Sequence, residues 1–138
     1  MKVSVEWAPP LRFIGTSAHS GAQLMIEDRR EGVTPAGPSP METTLMALAS
    51  CSAVDVVEIL QKMRGEITGL RVEADAERAP DPPRVFTKVR LRYRVSGRGL
   101  SRQQVERAVA LSVDKYCSVA GMVKRTAELS YDVVLDET

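Results

Sequence analysis

Apolar and polar residues alternate through Val3, Val5 and Trp7, a period of two that predicts a strand over residues 2–7. Leu11 to Ser17 and Ala22 to Glu27 read as two further strands, joined by a turn at "HSGA" with Gly21 as its flexible point. The loop "DRREGVTPAGPSP" follows, rich in glycine, proline and charge. It runs into a helix start. Ser39 caps, Pro40 suits the first helical position, and Glu42 completes a capping box. From Leu45 to Leu60 the only polar residues are Ser50, Ser52, Asp55 and Glu58, so no continuous polar face exists. The pattern predicts a central helix, covered nearly all round and ending near Arg64-Gly65.

Two strands with matching chemistry come next. Leu70, Val72, Ala74 and Ala76 alternate with Arg71, Glu73, Asp75 and Glu77. Val85, Thr87, Val89, Leu91, Tyr93 and Val95 alternate with Phe86, Lys88, Arg90, Arg92 and Arg94. Paired antiparallel, the acidic face of one meets the basic face of the other. The row Lys88, Arg90, Arg92, Arg94 therefore reads as a salt-bridged face and not as a nucleic-acid patch. Ser101 with Gln104 marks a second capping box, and Val105, Ala108, Val109 and Val113 share one helical face up to Tyr116. The register changes at Cys117, with a short helical turn through Val123. Leu129, Tyr131, Val133 and Leu135 alternate as a closing strand. The order implies one α+β domain over residues 1–138 with mostly antiparallel pairing.

A helix apolar on every side must be surrounded, and a chain of 138 residues has strands enough to cover one side. A twofold homodimer that packs two such helices together, sheets outside, hides the rest. The alternative is a monomer whose shorter helices cover the open side. Composition changes this little. With 19 basic and 18 acidic residues, no global field recruits nucleic acid or an anionic membrane. The longest uncharged run, Thr43 to Val54, falls short of the ~20 residues that span a bilayer. The two cysteines form no disulfide framework and fit a cytoplasmic chain. With one histidine, His19, and no CxxC, a metal site has no pattern behind it.

The candidate chemistry is the thiol pair. Cys51 lies mid-helix, where burial raises a thiol pKa unless a cation or hydrogen bond favours the thiolate. Read alone, it is a small hydrophobe. Cys117 follows Lys115 and stands at a short helix start, two features that lower a thiol pKa. Glu42 has a structural role in its capping box. It precedes Cys51 by nine residues, about 13 Å along a helix, so the two meet most easily between antiparallel helices of two chains. Asp55 and Glu58 follow on the face of Cys51 or mark the return to solvent. Arg12 is a lone cation in an apolar strand, read by default as a solvated edge residue.

Taken together, "GPSPMETTLMALASCSAVDVVEIL" and the distant "DKYCSVAGM" resemble the OsmC/Ohr family of thiol peroxidases, in its YhfA-like branch. The similarity also covers "RFIGTSAHSG" and "PPRVFTKVRLRYRVSGRGL". It implies an intertwined homodimer, with mostly antiparallel sheets wrapped around central hydrophobic helices. It further implies reduction of organic hydroperoxides: Cys51 becomes a sulfenic acid, and Cys117 condenses with it to a disulfide. An external dithiol or lipoylated protein reduces that disulfide, with no bound cofactor. Glu42 matches the family glutamate, and Arg12 is the candidate for the arginine that holds the thiolate across the dimer. Two other readings remain: a dimeric binding protein with a small apolar ligand in its interface pocket, and a stress-related dimer with inert thiols.

Overall fold

A computed structural model describes residues 1–137. The chain forms two compact units, Met1–Leu45 and the remainder from Met46 onward. In the first, β1 (Val3–Ala8), β2 (Arg12–Ser17) and β3 (Gln23–Glu27) form an antiparallel meander in that order. The three strands fall where the sequence reading placed them. After β3 the loop folds back on its own strand: the Glu27 amide donates to the Pro38 carbonyl at 2.9 Å, and the Asp28 amide to that of Leu11 at 3.2 Å.

Helix α1 (Pro40–Lys62) begins with proline in its first position. The predicted capping box is present: the Glu42 amide donates to Ser39 Oγ at 3.1 Å, and the Ser39 amide to Glu42 Oε1 at 3.0 Å. The helix ends on a left-handed residue, Arg64 (φ 64°), with the Gly65 amide bonded to the Leu60 carbonyl at 3.0 Å. Gly65 itself serves space and not dihedral freedom, since a Cβ there would run into the Leu100 side chain.

The second unit is built on a sheet of β4 (Glu66–Arg78), β5 (Phe86–Arg98) and β6 (Glu128–Glu137), in that order. β4 and β5 pair antiparallel, setting Glu73 opposite Arg92, Asp75 opposite Arg90 and Glu77 opposite Lys88, as the charge pattern predicted. Asp132 on β6 completes the set, with Arg90 at 2.8 Å and Arg92 at 3.3 Å. The two guanidiniums hold the Asp132 carboxyl below the usual range. β6 runs parallel to β5, so one of the four strand pairs departs from the antiparallel expectation. The crossover that a parallel pair requires is the helical segment between them.

Two details differ from the sequence reading. The ladder slips between Glu77 and Arg78, leaving Thr87 as an extra residue in β5. One extra residue exchanges the faces, so Phe86 is buried whereas Val85 and Thr87 are exposed. The helix from Ser101 also stops early. α2 (Arg102–Leu111) keeps the predicted capping box and buries Val105, Ala108 and Val109. It then widens into a single π turn, Ser112–Tyr116, so the change of register precedes Cys117. α3 (Ser118–Val123) follows.

Within one chain, α1 is not covered all round. Its buried residues are Leu48, Ser52, Val56 and Leu60, a stripe at every fourth position, while Met46 and Val54 are more than half exposed. Its length and mean hydropathy of 1.6 would suit a membrane crossing. The stripe it seals and the polar groups it engages are those of a helix packed on protein.

Candidate functional site: two thiols and a buried hydroxyl network

Cys51 occupies the middle of α1, half-buried, one residue before the sealed position Ser52. By helical geometry it lies on the flank between the buried stripe and an open apolar groove. That groove measures about 480 Å³ and is lined by Ser50, Ala53, Val54, Val57 and Glu58. Cys117 caps α3 and is buried, its sulfur accepting the Ala120 amide at 3.4 Å. Both thiols are free, and Cys51 is a close enough neighbour to raise the pKa of the Cys117 thiol. The fold thus unites two sulfurs that are remote in the chain.

Burial pushes the Cys117 thiol up to about 11. This corrects the expectation of a lowered value. The Ala120 amide does favour the thiolate, but desolvation is the larger effect, and Cys51 adds to it. The Lys115 ammonium lies over the Tyr116 ring, 5.2 Å from its centroid. Cys117 is therefore a protonated thiol at neutral pH.

Behind the thiols sits a polar cluster that the sequence reading missed. Ser52 Oγ shares hydrogen bonds with Tyr93 Oη at 2.5 Å and with Ser112 Oγ at 2.8 Å. Ser112 Oγ also lies 2.9 Å from Asp55 Oδ2 and 3.3 Å from the Ser52 carbonyl. Burial pushes the Tyr93 phenol up to about 12. Among the described residues no buried side-chain nitrogen or oxygen lacks a partner. The signal available beforehand was the interruption of an apolar face by Ser52, and of another by Ser112.

The other sequence candidates lie in the first unit. Arg12 stands directly opposite Glu27 in the β2–β3 ladder and donates its Nε–H to Glu27 Oε1 at 3.3 Å. Arg12 is itself exposed, as expected of a solvated cation, but it sits in the middle strand of its sheet and its partner is a buried carboxylate. Glu27 also accepts the Ala36 amide, and that bond, with Arg12 in support, holds its pKa low. Glu42 pairs with Arg29 at 3.2 Å, so the loop supplies its cation. The Ser39 amide and hydroxyl lower the Glu42 pKa most, with Arg29 adding. His19 is exposed in the β2–β3 turn.

Comparison with known proteins accords with this arrangement. The family model described as "OsmC-like protein" matches residues 32–132. Protein YhfA of Escherichia coli K12 is 45% identical over 136 residues, covering 97% of this chain and 98% of that protein. A hypothetical protein from Aquifex aeolicus VF5 superimposes with a TM-score of 0.82 at 28% identity, covering 98% of this chain and 96% of that one. The organic hydroperoxide resistance protein OhrB of Bacillus subtilis shares the fold, with a TM-score of 0.65 at 14% identity and 96% of both chains covered. By sequence over nearly its whole length, and by a mixed α+β fold of the same kind, the chain belongs to the OsmC family.

Proposed function

We propose that the protein is a thiol peroxidase that reduces organic hydroperoxides, working in the cytoplasm as a homodimer. The observation that carries this reading is the juxtaposition of Cys51, half-buried beside an apolar groove, with the buried free thiol of Cys117. The Cys51 thiolate attacks the O–O bond of ROOH and takes up the terminal OH as a sulfenic acid, and the leaving alkoxide takes from solvent the proton that the thiol gave up, departing as ROH. The Cys117 thiol then displaces water from the Cys51 sulfenic acid, and its proton departs in that water. An external dithiol or lipoylated protein, itself oxidised to a disulfide, returns both cysteines to thiols. No bound cofactor is required. The apolar groove favours fatty or aryl hydroperoxides over hydrogen peroxide. The name of the Bacillus neighbour supports the same substrate class. Glu42 and Arg12, supplied by the second copy, are assigned to hold the Cys51 thiolate.

Reduced protein mixed with cumene hydroperoxide tests this. Free thiols should vanish and the intact mass should show an internal disulfide, faster than with hydrogen peroxide. Persistent thiols, or equal rates, would reject the assignment. The open groove also suits the second reading, a dimer that holds a small apolar ligand, and a ligand that co-purifies with unreactive thiols would select it.

The dimer has a separate test. Val54 is 57% exposed in an otherwise apolar groove. A charge placed there and buried by a second copy would lack a partner. Val54→Asp should sediment as a monomer where the unaltered protein sediments as a dimer. An unaltered protein that is already monomeric would overturn the expectation.

A further inference from the structure

Building on the exchange reaction just proposed, one question is what fixes the distance between the two sulfurs. They sit on different elements, and neither is held by its own side-chain bond to the other element. One residue bonds to both elements. Through its hydroxyl, Ser112 reaches α1 at three points: Ser52 Oγ at 2.8 Å, Asp55 Oδ2 at 2.9 Å and the Ser52 carbonyl at 3.3 Å. Through its carbonyl, it accepts the Cys117 amide at 2.7 Å, the wide bond that closes the π turn. Single π turns within α-helices are frequent at functional sites. Here the turn lets one residue face α1 with its side chain while its carbonyl holds the second cysteine.

We infer that Ser112 is a positioning residue that sets the spacing of the thiols, pinning the backbone of Cys117 to the helix of Cys51. Tyr93 and Asp55 brace the pin: Tyr93 fixes the Ser52 hydroxyl from one side at 2.5 Å, and Asp55 fixes Ser112 from the other. Ser112 touches no reacting atom. Its contribution is to the closing step, in which Cys117 must reach Cys51, and not to the initial attack by Cys51.

Diamide separates those steps without any hydroperoxide. Its diazene bond first takes up the Cys51 sulfur as an adduct. Cys117 then attacks that sulfur, the disulfide forms and the hydrazine leaves; the two thiols lose two electrons and two protons, all accepted by the diazene nitrogens. Adduct formation and ring closure are followed by quenched mass spectrometry on the full chain. In Ser112→Ala, closure should slow at least tenfold relative to adduct formation. An unchanged ratio of the two rates, whether both fall together or neither moves, would overturn the inference, since general loosening of the fold does not single out the second step. If Ser112→Ala does not fold, Asp55→Ala carries the test. Asp55 is half-buried, and its loss should slow closure relative to adduct formation about threefold, while an unchanged ratio again refutes the pin. If diamide closes the disulfide in the unaltered protein but cumene hydroperoxide does not, the peroxidase reading fails and the pin stands on its own ratio. If diamide fails as well, the sulfurs are not within reach and both proposals fall.

Discussion

Replacing Cys51 by serine should reduce hydroperoxide turnover to the level of buffer. The reason is quantitative. Cys117 remains in Cys51→Ser, but burial alone is the largest cause of its pKa of about 11. At pH 7 that leaves about one thiolate in ten thousand, and the thiolate is the nucleophile. The serine hydroxyl is a far weaker nucleophile still. Cys117→Ser should behave differently: one round of peroxide reduction survives and the sulfenic acid accumulates, trapped by dimedone. Turnover assays on both variants with a dithiol reductant check this. Full activity in Cys51→Ser would remove Cys51 from the role of attacking residue.

The largest effect on stability should come from Gly97→Ala. Gly97 is buried in β5 opposite Ile67, and a Cβ there would run into the Glu66 carbonyl of the neighbouring strand and lie 2.6 Å from Leu100 Cδ1. The Leu100 side chain cannot retreat, because its other methyl already fills the space left by Gly65. Two glycines on different elements thus form one notch for a leucine that is 7% exposed. Overfilling such a site costs roughly 2–3 kcal/mol. For a chain of this size that lowers the melting temperature on the order of 10 °C. Thermal denaturation followed by circular dichroism measures it, and a melting point within about 2 °C of the unaltered protein would contradict the packing described.

Most elements were legible because their signals are local. Alternation marked β1, β4, β5 and β6, the turn at Gly21 marked β2 and β3, and Ser39-Pro40-Met41-Glu42 and Ser101 with Gln104 marked both helix starts by side chains that bond their own backbone. The misreadings were non-local. The bulge at Thr87 is a slip in the register of β5 against β4, and no property of Thr87 announces it. The parallel pairing of β6 depends on where α2 and α3 carry the chain. At the candidate site, the motif resemblance singled out Cys51 and Cys117, whereas Ser112 and Tyr93 looked like ordinary members of a helix and a strand. Their role rests on bonds across 60 and 41 positions, to a serine that one-dimensional patterning counts as an exception in an apolar run. Cys117 was misjudged electrostatically for the same reason: its helix start and Lys115 are visible in sequence, but the desolvation that outweighs them is not.

The parallel ladder of β5 and β6 also bears on how the chain matures at the ribosome. A hairpin such as β4–β5 zips as soon as both strands emerge, but a parallel partner must wait for the entire crossover, residues 99–127, and then for the final strand. The helix of Cys51 therefore emerges well before Cys117 and waits for its partner thiol, and the sheet of β4 and β5 is completed only once β6 has been made.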